Sequence, residues 1–229
     1  MKKILVLEDE SSIRSFIVIN LRRSGYEPIE AASGAEAFSQ LQLHPDIKLA
    51  LLDIMLPDID GFEVCRRIRA SGNKMGIIML TARSQEMDKV TGLMTGADDY
   101  ITKPLASIAE FTARVDALYR RVGGSDDADS DEIIRGSFSL SLRNRTLKKN
   151  GVPIRLTQVE FAIIRLFIEN PGKALSREDI LSSVWGKDYE GDLKIVDVNI
   201  RRLRLKVEDD PQNPSCITTL WGFGYKWVG

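Results

Sequence analysis

"LALLDIMLPDIDG", Leu49 to Gly61, runs four apolar residues into Asp53 and places three more between it and Pro57. A carboxylate in that setting loses hydration and must be compensated by its surroundings. The same kind of apolar run recurs along the first half of the chain. "KILVL", "EPIEAA", "IKLALLDI", "GIIMLTA" and "DDYITK" read as strands, and helical patterns start near Ser12, Gly34, Phe62, Met87 and Ala106. Five such βα repeats predict a doubly wound, five-stranded parallel sheet with helices on both faces. Ligands of such sheets gather at the carboxyl ends of the strands, beside the point where strand order reverses. Asp53 ends the third run, Glu8 and Asp9 the first, Thr81 the fourth and Lys103 the fifth.

Glu8, Asp9 and Asp53 would then form one group of hard oxygen ligands, the donor set that suits Mg²⁺. Lys103 supplies a fixed positive charge for a phosphate, Thr81 a hydroxyl donor, and Asp53 a nucleophile that could carry a phosphoryl group. Taken singly, the residues have plainer readings. Glu8 and Asp9 could be solvated acids at a helix start, Thr81 a loop cap and Lys103 a surface lysine. The lone histidine, His44, precedes Pro45 and reads as a solvated loop residue.

The chain has 229 residues, 43% hydrophobic and 28% charged, enough for two modest cores. Its opening "MKKILVLEDE" is too short in apolar residues to read as a signal peptide, and no apolar run approaches the roughly 18 residues of a membrane span. Cys65 and Cys216 lie far apart without metal-ligand spacing, as expected of reduced thiols in a cytoplasmic protein. The net charge of −1 is unevenly spread: −1 over residues 1–121, −5 over 122–132 and +5 over 133–229. The middle segment, rich in Gly, Ser and Asp, reads as an acidic flexible linker. The basic remainder makes nucleic acid a natural partner.

Beyond the linker, "FSLSLRNRTLKKNGVPIRL" alternates around Asn150-Gly151, a hairpin signal. Thr157 with Glu160 forms a capping box for a helix over Gln158 to about Glu169. Ser176, followed by Asp179, starts a second helix reaching Trp185, and a third spans about Ile195 to Val207. A strand, a glycine turn and a last strand close the chain. On the third helix Val196, Ile200 and Leu203 make an apolar seam. Lys194, Asn199, Arg201, Arg202 and Arg204 are its candidate DNA contacts, with Asn199 suited to adenine, Arg202 to guanine and the others to phosphate. Basic helices are often only solvated faces; here the charge split favours DNA. Trp221 is expected to pack as core or scaffold, or else against sugar-phosphate.

These motifs resemble a known family. Residues 1–121 resemble a response-regulator receiver domain through Glu8-Asp9, Asp53 in "LLDIMLPDIDG", Thr81-Ala82, Tyr100 and Lys103-Pro104. Residues 133–229 resemble the α+β winged helix-turn-helix effector of the OmpR/PhoB family through "LTQVEFAIIRLFIENPG", "SREDILSSVWG", "VDVNIRRLRLKVE" and "GFGYKW". The resemblance implies a two-component transcription regulator phosphorylated on Asp53 by a sensor histidine kinase, homodimeric once phosphorylated, bound to direct repeats of double-stranded DNA and working with RNA polymerase. It also implies that Asp9, Asp53 and the Met55 carbonyl hold Mg²⁺ directly, with Glu8 acting mainly through water. Thr81 and Tyr100 would form the switch. Lys89 with Glu110, and Asp99 with Arg114, would be cross-subunit ion pairs. This chain departs from common family residues at Leu105, Asp116, Asn199 and Trp221, where relatives often carry Phe, a basic residue, His and Arg.

Two other function classes share parts of this pattern. A haloacid-dehalogenase-like phosphatase would need an acid two residues after the nucleophile, where Met55 stands, so the chain is not expected to be an enzyme. A phosphorylation-independent DNA-binding regulator would use its receiver only as a dimerisation module, and the complete acid, Thr and Lys set argues against that.

Overall fold

The computed structural model describes residues 2–82, 95–105, 107–123, 132–187, 189 and 192–229. The chain divides into two compact units, Met1–Gly123 and Gly124–Gly229.

In the first unit, β1 (Lys2–Leu7), α1 (Ser11–Arg23), β2 (Tyr26–Ala31), α2 (Gly34–Leu43), β3 (Leu49–Asp53), α3 (Gly61–Ala70), β4 (Gly76–Ala82), β5 (Asp99–Lys103) and α4 (Ile108–Gly123) follow in order. The sheet is parallel throughout, in the order β2-β1-β3-β4-β5. β3 is buried at every residue, which is why it reads as an unbroken apolar run rather than an alternating one. The reversal of strand order falls between β1 and β3, so Glu8, Asp9 and Asp53 emerge at the switch point. The helix expected near Met87 lies outside the described residues, as does Ala106; the last helix of this unit is described from Ile108.

The loop after Asp53 owes its shape to acids with local work. The Asp58 carboxylate accepts the N–H groups of Gly34 and Ala35, each at 3.0 Å, at the start of α2. Those bonds hold its carboxyl below the usual aspartate range. Asp60 caps α3 by accepting the Phe62 N–H at 2.8 Å. Next to it, Gly61 at the start of α3 donates its N–H to the Ile54 carbonyl at 2.9 Å. A Cβ on Gly61 would lie 1.9 Å from the Asp53 carbonyl oxygen, so only glycine fits there.

The second unit opens with an antiparallel sheet of β6 (Glu132–Arg135), β7 (Phe138–Ser141), β8 (Thr146–Lys149) and β9 (Val152–Ile154). β6 begins at the last residue assigned to the linker, a small shift of that boundary. Asn150 and Gly151 turn β8 into β9 with φ of +51° and +79°, the left-handed pair that the Asn-Gly signal predicts. Then come α5 (Gln158–Glu169), β10 (Ala174–Ser176), α6 (Arg177–Trp185), α7 (Lys194–Val207), β11 (Ile217–Leu220) and β12 (Gly224–Trp227). β10, β12 and β11 form a second antiparallel sheet. Both predicted helix starts are capping boxes, Thr157 with Glu160 and Ser176 with Asp179. At the end of α7 the Glu208 carboxylate gathers the N–H groups of Ser215, Cys216 and Ile217 at 2.7–3.1 Å, tying the helix to β11.

Gly61→Ala would force a methyl into the Asp53 carbonyl. The expected outcome is a loss of at least about 2 kcal/mol of unfolding free energy for the first unit, read by denaturant titration of the full chain. Stability equal to wild type would contradict the close approach.

Candidate functional site

Burial explains why Asp53 needs company. It is 2% exposed and Glu8 is fully buried, whereas Asp9 is exposed. Carboxylate oxygens of the three lie within 4.8 Å of one another. The Lys103 ammonium reaches over from β5 to Asp53 Oδ2 at 2.9 Å and to the two Glu8 oxygens at 3.1 and 3.4 Å. Burial, and next the Asp53 charge, push the Glu8 carboxyl above its usual range despite Lys103. For Lys103, burial acts downward, but Asp53 and Glu8 outweigh it and its pKa is raised. Arg14 fastens the turn from below, donating to the Glu8 carbonyl at 2.6 Å and the Asp9 carbonyl at 3.2 Å. Thr81, at the end of β4, is buried at 2% exposure. Met55 is 74% exposed on the loop that follows Asp53. Sequence reasoning thus brought Glu8, Asp9, Asp53, Thr81 and Lys103 to one edge, and the fold places them there.

The three-carboxylate group fits a hard divalent cation. Its donors are all oxygens, and one ammonium leaves the cluster with net negative charge. Tyr100 lies within β5 with its side chain buried.

On α4, Arg114 is buried and turned inward. It donates to Glu110 Oε1 at 3.0 and 2.7 Å and to Asp99 at 3.2 and 3.4 Å, all within its own chain. Of the residues expected in cross-subunit pairs, Lys89 with Glu110 and Asp99 with Arg114, the last three meet within the single chain. Lys89 lies outside the described residues. Asp116 has a local role too, accepting a hydrogen bond from the Tyr26 hydroxyl.

The buried face of α7 is wider than its predicted seam. It takes in Ile195, Val196, Asn199, Ile200, Arg202, Leu203 and Val207. Asn199, fully buried, donates to the Ile195 carbonyl at 2.9 Å. Arg202, 5% exposed, pairs at 3.0 Å with Glu160, which also receives Lys206 at 2.6 Å. Burial would raise the Glu160 carboxyl, but Arg202 and Lys206 more than offset it and hold it low. Neither Asn199 nor Arg202 is presented to a groove, which corrects their assignment as base readers. They lie beside the apolar seam on the helical wheel, and a buried glutamate captures the arginine. A buried acid in the capping box was the available clue. Arg204 is likewise occupied, donating to the Ile217 carbonyl at 3.0 and 2.7 Å and to Thr219 Oγ1 at 2.8 Å. Lys194, Arg201 and Leu205 are exposed on this helix and Val198 half-buried. Trp221 is 93% exposed, which excludes the expected core packing and leaves the sugar-phosphate alternative open. It sits in the β11–β12 turn, where neither sheet face can cover it.

Residues 4–116 match the family described as response regulator receiver domain, and residues 151–227 match transcriptional regulatory protein, C terminal. The chain is 39% identical to the sensory transduction protein RegX3 of Mycolicibacterium smegmatis over 100% of both chains. It is 42% identical to the transcriptional regulatory protein AfsQ1 of Streptomyces coelicolor, over 99% of this chain and 98% of the relative. Among solved structures, a RitR mutant superposes with a TM-score of 0.77 at 28% identity. The Thermotoga maritima OmpR/PhoB homologue DrrB does so with 0.52 at 31%. Both cover 100% of each chain.

Three acids around one ammonium repel, so neutralising one should relieve the fold. Asp53→Asn, in chelator at neutral pH, is expected to raise the unfolding free energy by about 1 kcal/mol. In the wild type the raised Glu8 carboxyl takes up its proton before the unfolded chain does. Stability should therefore rise as pH falls from neutral toward the usual glutamate value, a slope that Asp53→Asn flattens. A destabilised variant would mean that the Lys103–Asp53 attraction outweighs the repulsion.

Proposed function

Because the chain belongs to the response regulators of the OmpR/PhoB type, a receiver followed by a DNA-binding domain, we propose that Asp53 accepts a phosphoryl group from a sensor histidine kinase and so regulates promoter binding. The observation that carries this reading is the Lys103 ammonium held between Asp53 and Glu8 at the switch point of the sheet. An Asp53 carboxylate oxygen attacks phosphorus while the bond from phosphorus to the donor's imidazole nitrogen breaks, leaving an aspartyl phosphate and a free histidine. Lys103 stays beside Asp53 to pair with the phosphoryl oxygens, and the Thr81 hydroxyl is the donor available from β4. Asp9, Asp53 and the Met55 carbonyl, with Glu8 acting mainly through water, would hold Mg²⁺, which when bound neutralises charge on the transferring oxygens.

Capture of the Thr81 hydroxyl by the phosphoryl group, with a coupled change at Tyr100, would bias the receiver toward an active state. That state dimerises and aligns two DNA-binding domains on direct repeats, where RNA polymerase is the further partner. Arg114 would have to release its own Asp99 and Glu110, taking a partner's Asp99 in place of the first and leaving Glu110 to a partner's Lys89, so the intrachain pairs set a threshold for association. The domain division 1–121, 122–132 and 133–229 gives the acidic linker the role of a tether between the two. No described helix is long and apolar enough to cross a membrane.

Incubation with a small acyl phosphate and Mg²⁺ should add one phosphoryl group to the wild type by intact mass, and none to Asp53→Asn or to wild type in chelator. Equal labelling of wild type and variant would remove Asp53 from the role.

For DNA, the exposed face of α7 supports Arg201 as the base reader and Lys194 as a phosphate contact. Arg201→Ala should relax base preference at one position, by roughly 1–3 kcal/mol for a bidentate contact. Arg202→Ala should instead lower stability by roughly 3 kcal/mol, since it strips a partner from buried Glu160. Affinities over a panel of single-base variants, alongside melting curves, separate the two; base-specific loss in Arg202→Ala would reverse the assignment.

A further inference from the structure

Glu8 and Asp53 are held by Lys103, but Asp9 is not. Its carboxylate is exposed, and among the described residues no ammonium, guanidinium or N–H group engages it. The backbone of the turn from β1 into α1 therefore decides where that carboxylate points. The turn has few bonds of its own. The Glu8 N–H continues the sheet onto the Ala31 carbonyl at 3.1 Å. Glu10, the residue before α1, makes no side-chain cap, and its N–H reaches the Glu8 carboxylate only at 3.4 Å. Arg14 supplies the missing constraint. From the start of α1 its Nη1 donates to the Glu8 carbonyl at 2.6 Å and to the Asp9 carbonyl at 3.2 Å. Its Nε faces Glu30 Oε2, near the end of β2, at 3.6 Å. Arg22 of the same helix approaches the other oxygen of Glu30 at 3.7 Å. One guanidinium thus spans from β2 to both acidic residues of the turn.

We propose that Arg14 is a positioning residue of the cation site: by fixing the carbonyls of Glu8 and Asp9 it sets the direction of the Asp9 carboxylate before Mg²⁺ arrives. The proposal rests on the metal-dependent reading of Asp53 above. A ligand already held in place loses less freedom on binding. Outer groups that orient a metal's ligands are accordingly worth roughly 10- to 100-fold in affinity. The sign of the effect separates this role from electrostatics. A guanidinium near a cation site repels the cation, so deleting its charge alone would tighten Mg²⁺. Deleting its grip on the turn loosens Mg²⁺ instead. Weaker binding on removal of a positive charge is therefore the mark of positioning. The residue type fits the task, since a planar guanidinium engages an acid through one nitrogen and two carbonyls through another, a span that a point-like ammonium lacks.

The test titrates Mg²⁺ alone into the full chain at neutral pH by isothermal calorimetry, with melting curves in chelator to verify the fold. Arg14→Met removes the donors and the charge and keeps a good helix former of similar length. It is expected to bind Mg²⁺ about tenfold more weakly than wild type. In an Asp9→Ala background, where the positioned ligand is gone, the same substitution should cost nothing further. Arg14→Lys keeps the charge but not the span and should fall between wild type and Arg14→Met. Arg14→Met binding Mg²⁺ as tightly as wild type, or more tightly, overturns the inference and leaves the metal site standing. So does an undiminished loss in the Asp9→Ala background, which would make Arg14 a support of the whole turn rather than of Asp9. If Arg14→Met does not melt cooperatively, Arg14→Lys decides, and wild-type affinity in it overturns the proposal. A wild type that binds no Mg²⁺ brings down both this inference and the metal-dependent reading it rests on.

Discussion

One ammonium between two buried carboxylates organises the first unit. Lys103 closes β5 onto the ends of β1 and β3 by pairing with both buried carboxylates, Glu8 and Asp53. The compensation is partial, since two buried carboxylates share one ammonium and the exposed Asp9 adds a third acid beside them. That residual negative charge is costly in the resting protein and is also what a divalent cation can use. The surrounding structure resists collapse of the cluster. Arg14 holds the backbone of Glu8 and Asp9, Asp58 and Asp60 fix the loop beyond Asp53 to two helix starts, and Gly61 lets that loop pass against the Asp53 carbonyl.

The second unit repeats the theme with opposite sign. Glu160 is fully buried, caps α5 and binds two cations from α7. The attachment sets the rotation of α7 about its own axis, because Arg202 and Lys206 must both face inward. Glu208 fixes the far end of the same helix to β11, and Arg204 braces the ribbon. The basic helix is thus held at three places by its own polar side chains and their acceptors, and its orientation relative to the ribbon follows from them.

Much of this was legible in the sequence. Apolar runs before Asp53 and Thr81, and the shorter Tyr100-Ile101 before Lys103, located the strands and brought the acids to one edge, since parallel strands all end on the same side of a sheet. The two capping boxes and the Asn150-Gly151 turn are local chemistry and were read directly. Features that depend on tertiary packing were not. Asp58 and Asp60 look like loop acids until the helix starts they cap are in place. Asn199 and Arg202 look like reading groups because a seam of three apolar residues understates how much of α7 its neighbours cover. Trp221 looks like core because hydrophobicity is a sequence property, whereas exposure in a turn is a property of where the chain reverses.

These burial patterns change what the positive charge of the second half can mean. Its excess of basic side chains suggests a surface rich in phosphate contacts. Yet Arg202 and Lys206 are paired with Glu160, Arg204 with backbone and Thr219, and Arg177 with Asp197 at 2.7 Å. Cations already committed to internal partners release few counterions on binding. The exposed part of α7 mixes Lys194 and Arg201 with Val198 and Leu205, the latter 57% exposed. Apolar groups of that kind read thymine methyls and groove shape rather than phosphate. A domain built this way draws less of its affinity from counterion release, and more of its discrimination from fit, than its net charge alone implies.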